Sequence, residues 1–249
     1  MTRVRLILRG LVFQLGFITS TLVFGLLVPP LVWPLPRERR YRILTGWGRF
    51  NIWWLRVTCG VDYRVRGQEH LDPSRPHVVL SKHQSAWETL AFVNILPRQT
   101  WVLKRELMRI PLFGWTLSML DPVPIDRQGG RRALENLVEE GRARLDRGLW
   151  VIVFPEGTRV RPGEHGRYRL GGAMLAAHTG YPVLPVALNS GSHWPRKGII
   201  RHPGTIEVVI GPPIETAGRE PAEVLAAAEQ WIETEMERLE PQARATTAD

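Results

Sequence analysis

Apolar and charged positions divide the chain into three zones. Gly10 to Pro36 is a run of 27 residues without a charge, flanked by Arg3, Arg5 and Arg9 on one side and Arg37, Arg39 and Arg40 on the other. Its helix-compatible part, Gly10 to Val28, would be about 28 Å long at 1.5 Å per residue, barely the thickness of a hydrocarbon core. Pro29, Pro30, Pro34 and Pro36 are expected to break that helix. Residues 37–58 read as one amphipathic helix: Arg42, Arg49 and Arg56 recur every seven residues, and Ile43, Trp47, Phe50 and Trp54 fall on another face. Beyond Gly60, short apolar runs alternate with helix-period segments. Strands are expected at Tyr63–Arg66, His77–Ser81, Trp101–Leu103, Pro122–Ile125, Trp150–Phe154, Val183–Leu188 and Thr205–Ile210. Helices are expected at Trp87–Ile95, Leu112–Leu120, Arg131–Leu145 and Ala173–His178, with an acidic closing helix at Glu220–Leu239. That alternation predicts an α/β fold, a mixed sheet covered by helices. The chain reads as an N-terminal membrane-associated helical hairpin over 1–58 and an α/β domain over 59–249.

Charge sharpens the picture of the first zone. The net charge is +9, yet residues 1–60 carry nine Arg and one Glu, while residues 201–249 sum to −6. Basic charge gathered around an apolar segment fits an anionic membrane surface. No nucleic-acid-binding signature accompanies it, so nucleic acid is not expected as a partner. Four of the ten Trp (33, 47, 53 and 54) lie in this zone, where interfacial anchors belong. Arginines on both sides of the apolar run argue against a simple crossing, so a hairpin dipped into one leaflet is expected, with a true span as the alternative. No alanine precedes Ala86, so a cleaved Ala-x-Ala signal is not expected. The single cysteine, Cys59, rules out an internal disulfide and a cysteine-based zinc cluster, and no metal is expected.

Candidate chemistry lies where apolar runs end. Ser81-Lys82-His83-Gln84-Ser85-Ala86-Trp87-Glu88-Thr89 joins an expected strand to an expected helix. Five helical steps would set His83 and Glu88 about 140° apart, so the two cannot meet on one regular helix. With His83 in the loop and Glu88 in the first turn, the carboxylate can hold one imidazole tautomer and leave the other nitrogen to take a proton from a hydroxyl. The same letters also spell a capping box, in which Ser85 caps the helix, Glu88 reaches back to its N–H, and His83 is a plain loop residue. Lys104 and Arg105 close another strand, where two cations could grip a phosphate or simply be solvated. In Phe154-Pro155-Glu156-Gly157-Thr158-Arg159 a buried strand stops at proline and Gly157 permits a sharp turn. That turn is expected to present Glu156, the Thr158 hydroxyl and the Arg159 guanidinium together, arginine suiting bidentate contact with phosphate. Arg161, Arg167 and Arg169 follow and read as solvated. Pro185 inside the run Val183–Leu188 predicts an edge strand or a bulge, a wall for an acyl chain or ordinary core.

These four blocks, in this order, resemble the glycerolipid acyltransferases, specifically the bacterial 1-acylglycerol-3-phosphate acyltransferases, over about residues 60–215. The first block usually ends in Asp; here it is Glu88. The resemblance implies that His83 is the general base on the acceptor hydroxyl and that Glu88 orients it. Lys104 or Arg105, with Arg159, would bind the lysophospholipid phosphate. Glu156 and Gly157, beside Thr158, would line the glycerol side, and Pro185 and Val186 the acyl-chain or donor side. It further implies an enzyme without a cofactor that takes acyl-CoA or acyl carrier protein as donor, at the cytoplasmic face of a bacterial inner membrane. Rival readings are acylation of another lysolipid such as lyso-ornithine lipid, a hydrolase using His83 and Glu88 on water, and a non-catalytic membrane-binding module.

Overall fold

The computed structural model describes residues 2–126 and 129–241. Three helices, α1 (Arg3–Val32), α2 (Arg37–Leu44) and α3 (Gly46–Cys59), precede β1 (Val61–Arg66). Then come β2 (Val78–Ser81), α4 (Trp87–Ile95), β3 (Gln99–Lys104), α5 (Phe113–Ser118), β4 (Val123–Ile125), α6 (Gly130–Leu145) and β5 (Trp150–Val153). The chain continues through α7 (Gly171–Thr179), β6 (Val183–Leu188), the short α8 (Ser190–His193), β7 (Gly204–Ile210) and α9 (Pro221–Leu239). Among the described residues the strands form one sheet in the order β1-β7-β6-β2-β5-β3-β4. All neighbours are parallel except β6 and β7.

Strand side chains alternate between two buried faces, which is why the central strands read as unbroken apolar runs. Val79, Ile152, Leu184 and Val186 face a core shared with α3 and α4. Val78, Leu80, Val151, Val153, Val183 and Ala187 face a second core completed by α7 and α9. Parallel β2, β3, β5 and β6 end on one edge of the sheet. The loops that follow them bring distant segments together there.

The N-terminal hairpin forms from α1 and α3, which run antiparallel. Arg9 Nε donates to the Thr58 carbonyl at one end, and Ser20 Oγ donates to Asn51 Oδ1 further along. Between them Gly16 lets the helices approach: a Cβ there would sit 2.2 Å from the Trp54 indole nitrogen. Phe13 is fully buried and meets Trp194 edge-on at 5.0 Å, so the hairpin shares the first core with the sheet. Two expectations about this region need correction. The helix does not stop at Val28; Pro29 and Pro30 lie inside α1. A proline removes its own donor but keeps its carbonyl, and the Pro29 oxygen accepts from the Trp33 amide at 3.0 Å, closing one last turn. Residues 37–58 form two helices, broken at Thr45, whose hydroxyl turns back to the Tyr41 carbonyl at 2.9 Å.

Pro185 does not mark an edge. Strand β6 lies inside the sheet between β2 and β7. Extending the Ala187↔Val209 register would set Val183 opposite Pro213, but Val183 pairs with Ile214, so one extra residue bulges beside Pro185. The missing amide proton of Pro185 faces that bulge, while its carbonyl accepts from Gly211 N at 2.9 Å.

Candidate active site

The loop after β2 is held by its backbone. His83 N–H donates to Glu156 Oε2 at 3.0 Å, and the His83 carbonyl accepts from Val160 N–H at 2.8 Å. The imidazole stacks on Phe154 with ring centroids 4.0 Å apart and planes inclined by 17°. One loop therefore receives its position from the turn that follows β5.

Glu88 is fully buried at the start of α4. Its Oε1 accepts from Gln84 N–H (2.7 Å), Ser85 N–H (2.9 Å) and the Ser190 hydroxyl (2.7 Å), and its Oε2 from Ser85 N–H (3.1 Å). Ser85 Oγ accepts from Trp87 N–H at 3.1 Å. Glu88 thus makes the backward bond of a capping box, to Ser85 N–H, while the forward bond from Ser85 goes to Trp87 N–H, and two further donors gather on the same carboxylate. Burial pushes the carboxyl up to about 7, against the opposing pull of Gln84 N–H and the Ser190 hydroxyl. The Glu88 charge also acts on Arg159, partly opposing the lowering that burial imposes on that guanidinium.

Beneath the His83 loop lies a buried charge cluster. Lys82 is 1% exposed; its Nζ donates to Glu156 Oε1 at 2.7 Å and to Glu233 Oε1 of α9 at 2.8 Å. Tyr168 Oη donates to the same Glu233 oxygen at 2.9 Å. Burial holds the Glu156 carboxyl above its ordinary range even though Lys82 pulls it down. Glu240, just past α9, accepts from Gln84 Nε2, Gly163 N–H and Ser192 Oγ at 3.0–3.2 Å.

A cavity of about 1120 Å³ opens at this edge of the sheet. His83, Lys104, Gly157, Thr158 and Arg159 all line it, so three strand ends deliver the expected groups to one space. Gly157 adopts φ 67°, the left-handed conformation the turn requires. Its apolar walls come from Trp47 and Leu44 of the hairpin, Leu90 and Val93 of α4, Phe113 and Leu117 of α5, and Leu134 and Leu137 of α6.

Four expected residues are placed elsewhere. Arg105 is exposed at the start of a 3-10 segment and does not line the cavity. Glu156 points inward to Lys82 and the His83 amide and does not line the cavity, because a carboxylate beside a buried ammonium has its partner in the core. Pro185 and Val186 are buried in β6, walled by neighbouring strands, and cannot touch an acyl chain in that space. Lys82, Tyr168, Ser190, Glu233 and Glu240 were not singled out as site residues. The signal in the sequence is a lysine at the end of the buried run Val78-Val79-Leu80-Ser81, with an acidic helix near the C-terminus to neutralise it. Among the described residues no three His, Cys, Asp or Glu side chains converge as a metal site.

The family model described as Acyltransferase matches residues 62–189, which include the His83, Lys104 and Arg159 segments. The chain is 43% identical over 238 residues to the 1-acyl-sn-glycerol-3-phosphate acyltransferase of Pseudomonas aeruginosa, covering 94% of this chain and 92% of that protein. It is 32% identical over 173 residues to the mouse 1-acyl-sn-glycerol-3-phosphate acyltransferase alpha, covering 68% of this chain and 61% of the mouse protein. Its structure is similar to the crystal structure of PlsC, the 1-acyl-sn-glycerophosphate (LPA) acyltransferase of Thermotoga maritima. That match has a TM-score of 0.78 at 25% identity and covers 96% and 98% of the two chains. With the cavity-lining segments inside the family match and 43% identity along nearly the whole length, the chain belongs to the acyltransferase family, among the 1-acyl-sn-glycerol-3-phosphate acyltransferases.

Proposed function

We propose that the protein moves a fatty acyl group from acyl-CoA or acyl carrier protein to the sn-2 hydroxyl of lysophosphatidic acid, giving phosphatidic acid. The observation that carries this reading is the single cavity that holds the His83 ring, the cations Lys104 and Arg159, and a long apolar wall. An alcohol is a poor nucleophile, and an imidazole near neutral pKa is the right base for it. His83 takes the hydroxyl proton as the oxygen attacks the thioester carbonyl. The tetrahedral intermediate then expels the thiolate, which receives the proton. No acyl-enzyme forms. Glu88 stands behind this loop as its positioning carboxylate. The decisive assay supplies labelled donor to a panel of lysolipids and identifies the product. Acylation confined to a lysolipid without a phosphomonoester would sink this reading.

Lys104 and Arg159 are assigned to the acceptor phosphate. Charged hydrogen bonds contribute roughly 1.5–3 kcal/mol each, so Lys104→Ala or Arg159→Ala should weaken use of lysophosphatidic acid by about 10- to 150-fold. The loss should be smaller with neutral monoacylglycerol, and Arg159→Lys should rescue only in part, since a point charge lacks the planar fork. Acceptor titration on both lipids at saturating donor checks this. Equal fractional losses on the two lipids would remove both residues from the phosphate site.

The hairpin suits a membrane surface rather than a crossing. Helix α1 is long and apolar enough to span by length and composition. Yet it is held to the same domain near both ends, at Gly10 against Ile199 and at Gly25 against Leu112. Leu8, Leu15, Leu22, Leu26 and Leu31 remain exposed along it, joined by Trp53 of α3 and Trp115 of α5. An in-plane helix with its free face in one leaflet explains both facts. A soluble thioester donor calls for a site on the cytoplasmic face, and we propose a bacterial inner membrane as the location. Proteolysis of sealed inside-out vesicles should therefore cut on both sides of α1. Protection of one end until the vesicles are permeabilised would establish a span.

A further inference from the structure

More cations line the cavity than the acceptor phosphate requires: besides Lys104 and Arg159 there are Arg167, Arg169 and Arg196. Two of these stand on a segment built to hold them still. Val160 N–H is bonded to the His83 carbonyl (2.8 Å), and Gly163 N–H to Glu240 Oε2 (3.2 Å). Further along, the Glu164 carbonyl accepts from Lys82 Nζ (3.4 Å), and Arg169 N–H donates to the Pro155 carbonyl (2.9 Å). Gly166 lies so close to Glu156 that a Cβ would come within 2.9 Å of Oε1. Tyr168 is buried, with its hydroxyl on Glu233. In the non-helical stretch around it, Arg167 and Arg169 flank that anchor and both line the cavity. With the backbone already anchored, an anion bound there has only the arginine side chains left to order.

Their pairing is also selective. Arg161, on the same segment, has a carboxylate at 3.8 Å, that of Glu164. Among the described residues neither Arg167 nor Arg169 has a carboxylate within 4.0 Å, and Arg196 spends one guanidinium N–H on the Arg159 carbonyl at 3.2 Å. Three arginines lining one cavity suit an anion other than a protein carboxylate.

We infer that Arg167 and Arg169, with Arg196, form a second anion-binding subsite that holds the phosphate of the donor's phosphopantetheine arm. This inference rests on the thioester-donor reading above. The phosphate is common to acyl-CoA and to acyl carrier protein, so one subsite serves either source. Gripping it anchors the arm at the cavity rim while the thioester reaches His83.

The test uses the full chain in lipid vesicles and the double variant Arg167→Gln/Arg169→Gln. Donor titrations are run with acyl-CoA, acyl carrier protein and the acyl thioester of N-acetylcysteamine, which lacks the phosphate. Binding of free CoA is measured separately by equilibrium titration. The donor KM should rise by about 10- to 100-fold for both phosphate-bearing donors. The acceptor KM should stay within about twofold and the N-acetylcysteamine reaction should be unchanged, with CoA binding weakened in parallel. A loss confined to acyl carrier protein would assign the arginines to the carrier's surface and overturn the phosphate subsite. So would an equal loss on the truncated donor, or a rise in acceptor KM instead of donor KM. Wild type that binds CoA through these residues but fails to acylate lysophosphatidic acid would overturn the acceptor assignment alone and leave the subsite standing.

Discussion

Replacing His83 with alanine is expected to lower turnover by about 10²–10⁴-fold, the range for loss of a general base, with the fold intact. The fold should survive because the two bonds that hold residue 83, to Glu156 and from Val160, are made by its backbone and persist in alanine. What disappears is the ring stacked on Phe154. Turnover with labelled donor, set beside the thermal unfolding curve, separates the two effects. A loss below about tenfold in a folded variant would remove His83 from the chemistry. Glu88→Gln in the same assay decides what the carboxylate does. A cap needs acceptor oxygen, and glutamine keeps one of the two oxygens that accept here, so a purely capping Glu88 predicts near-full activity and a lower Tm. A positioning carboxylate predicts loss of most activity. It also predicts wild-type activity rising with pH through about 7, since burial has raised this acid and ionisation occurs there. The stability contribution has the opposite sense: a carboxyl raised from 4.5 favours the folded state fully below that pH, and the contribution is lost as pH rises through 7.

How far the letters could be read depended on how local the determining interaction was. Val183–Leu188 and Trp87–Ile95 coincide with β6 and α4 because each is an apolar run with a sharp boundary, Pro182 before one and the capping serine before the other. His83, Lys104 and Arg159 were joined in the sequence only by the family resemblance; they line one cavity because each lies at or just beyond the end of a parallel strand, and parallel strands end together. Side-chain direction was not legible. Glu156 and Thr158 sit in one turn, yet Thr158 lines the cavity and Glu156 is buried; the difference is made by Lys82, 74 residues away in sequence. Glu233 is 151 residues from Lys82, and no short-range pattern links them. Pro185 could be read as an edge or a bulge, and the choice between them was not local. Its lost donor is accommodated by an extra residue in the segment beyond β7, a feature of the partner strand rather than of Val183–Leu188. The helix continuing past Pro29 and the break at Thr45 each turn on a single carbonyl finding a donor.

Lys82→Met should cost the protein about 3–5 kcal/mol, the usual penalty for removing one partner of a buried ion pair. The lysine is as buried as any core leucine, at 1% exposure, and satisfies Glu156 and Glu233 at 2.7 and 2.8 Å. Methionine fills much the same volume, so little of the loss can be assigned to a cavity. What remains is a pair of carboxylates without their cation, one of them with a fully buried side chain. For a chain of 249 residues that corresponds to a Tm lower by roughly 6–20 °C. The origin of the cost can be isolated. In Lys82→Met/Glu156→Gln/Glu233→Gln the charges are gone together, and replacing a whole buried ionic group is often nearly neutral, so most of the Tm should return. Glutamine at 156 keeps an oxygen for the His83 amide, so the His83 loop retains its backbone support. Activity per folded molecule should therefore recover in the triple variant along with stability. Denaturant unfolding of wild type, single and triple variants provides the comparison. A single variant within about 1 kcal/mol of wild type would mean that Lys82 does not hold these carboxylates together. A triple variant no more stable than the single would show that packing, rather than uncompensated charge, set the loss.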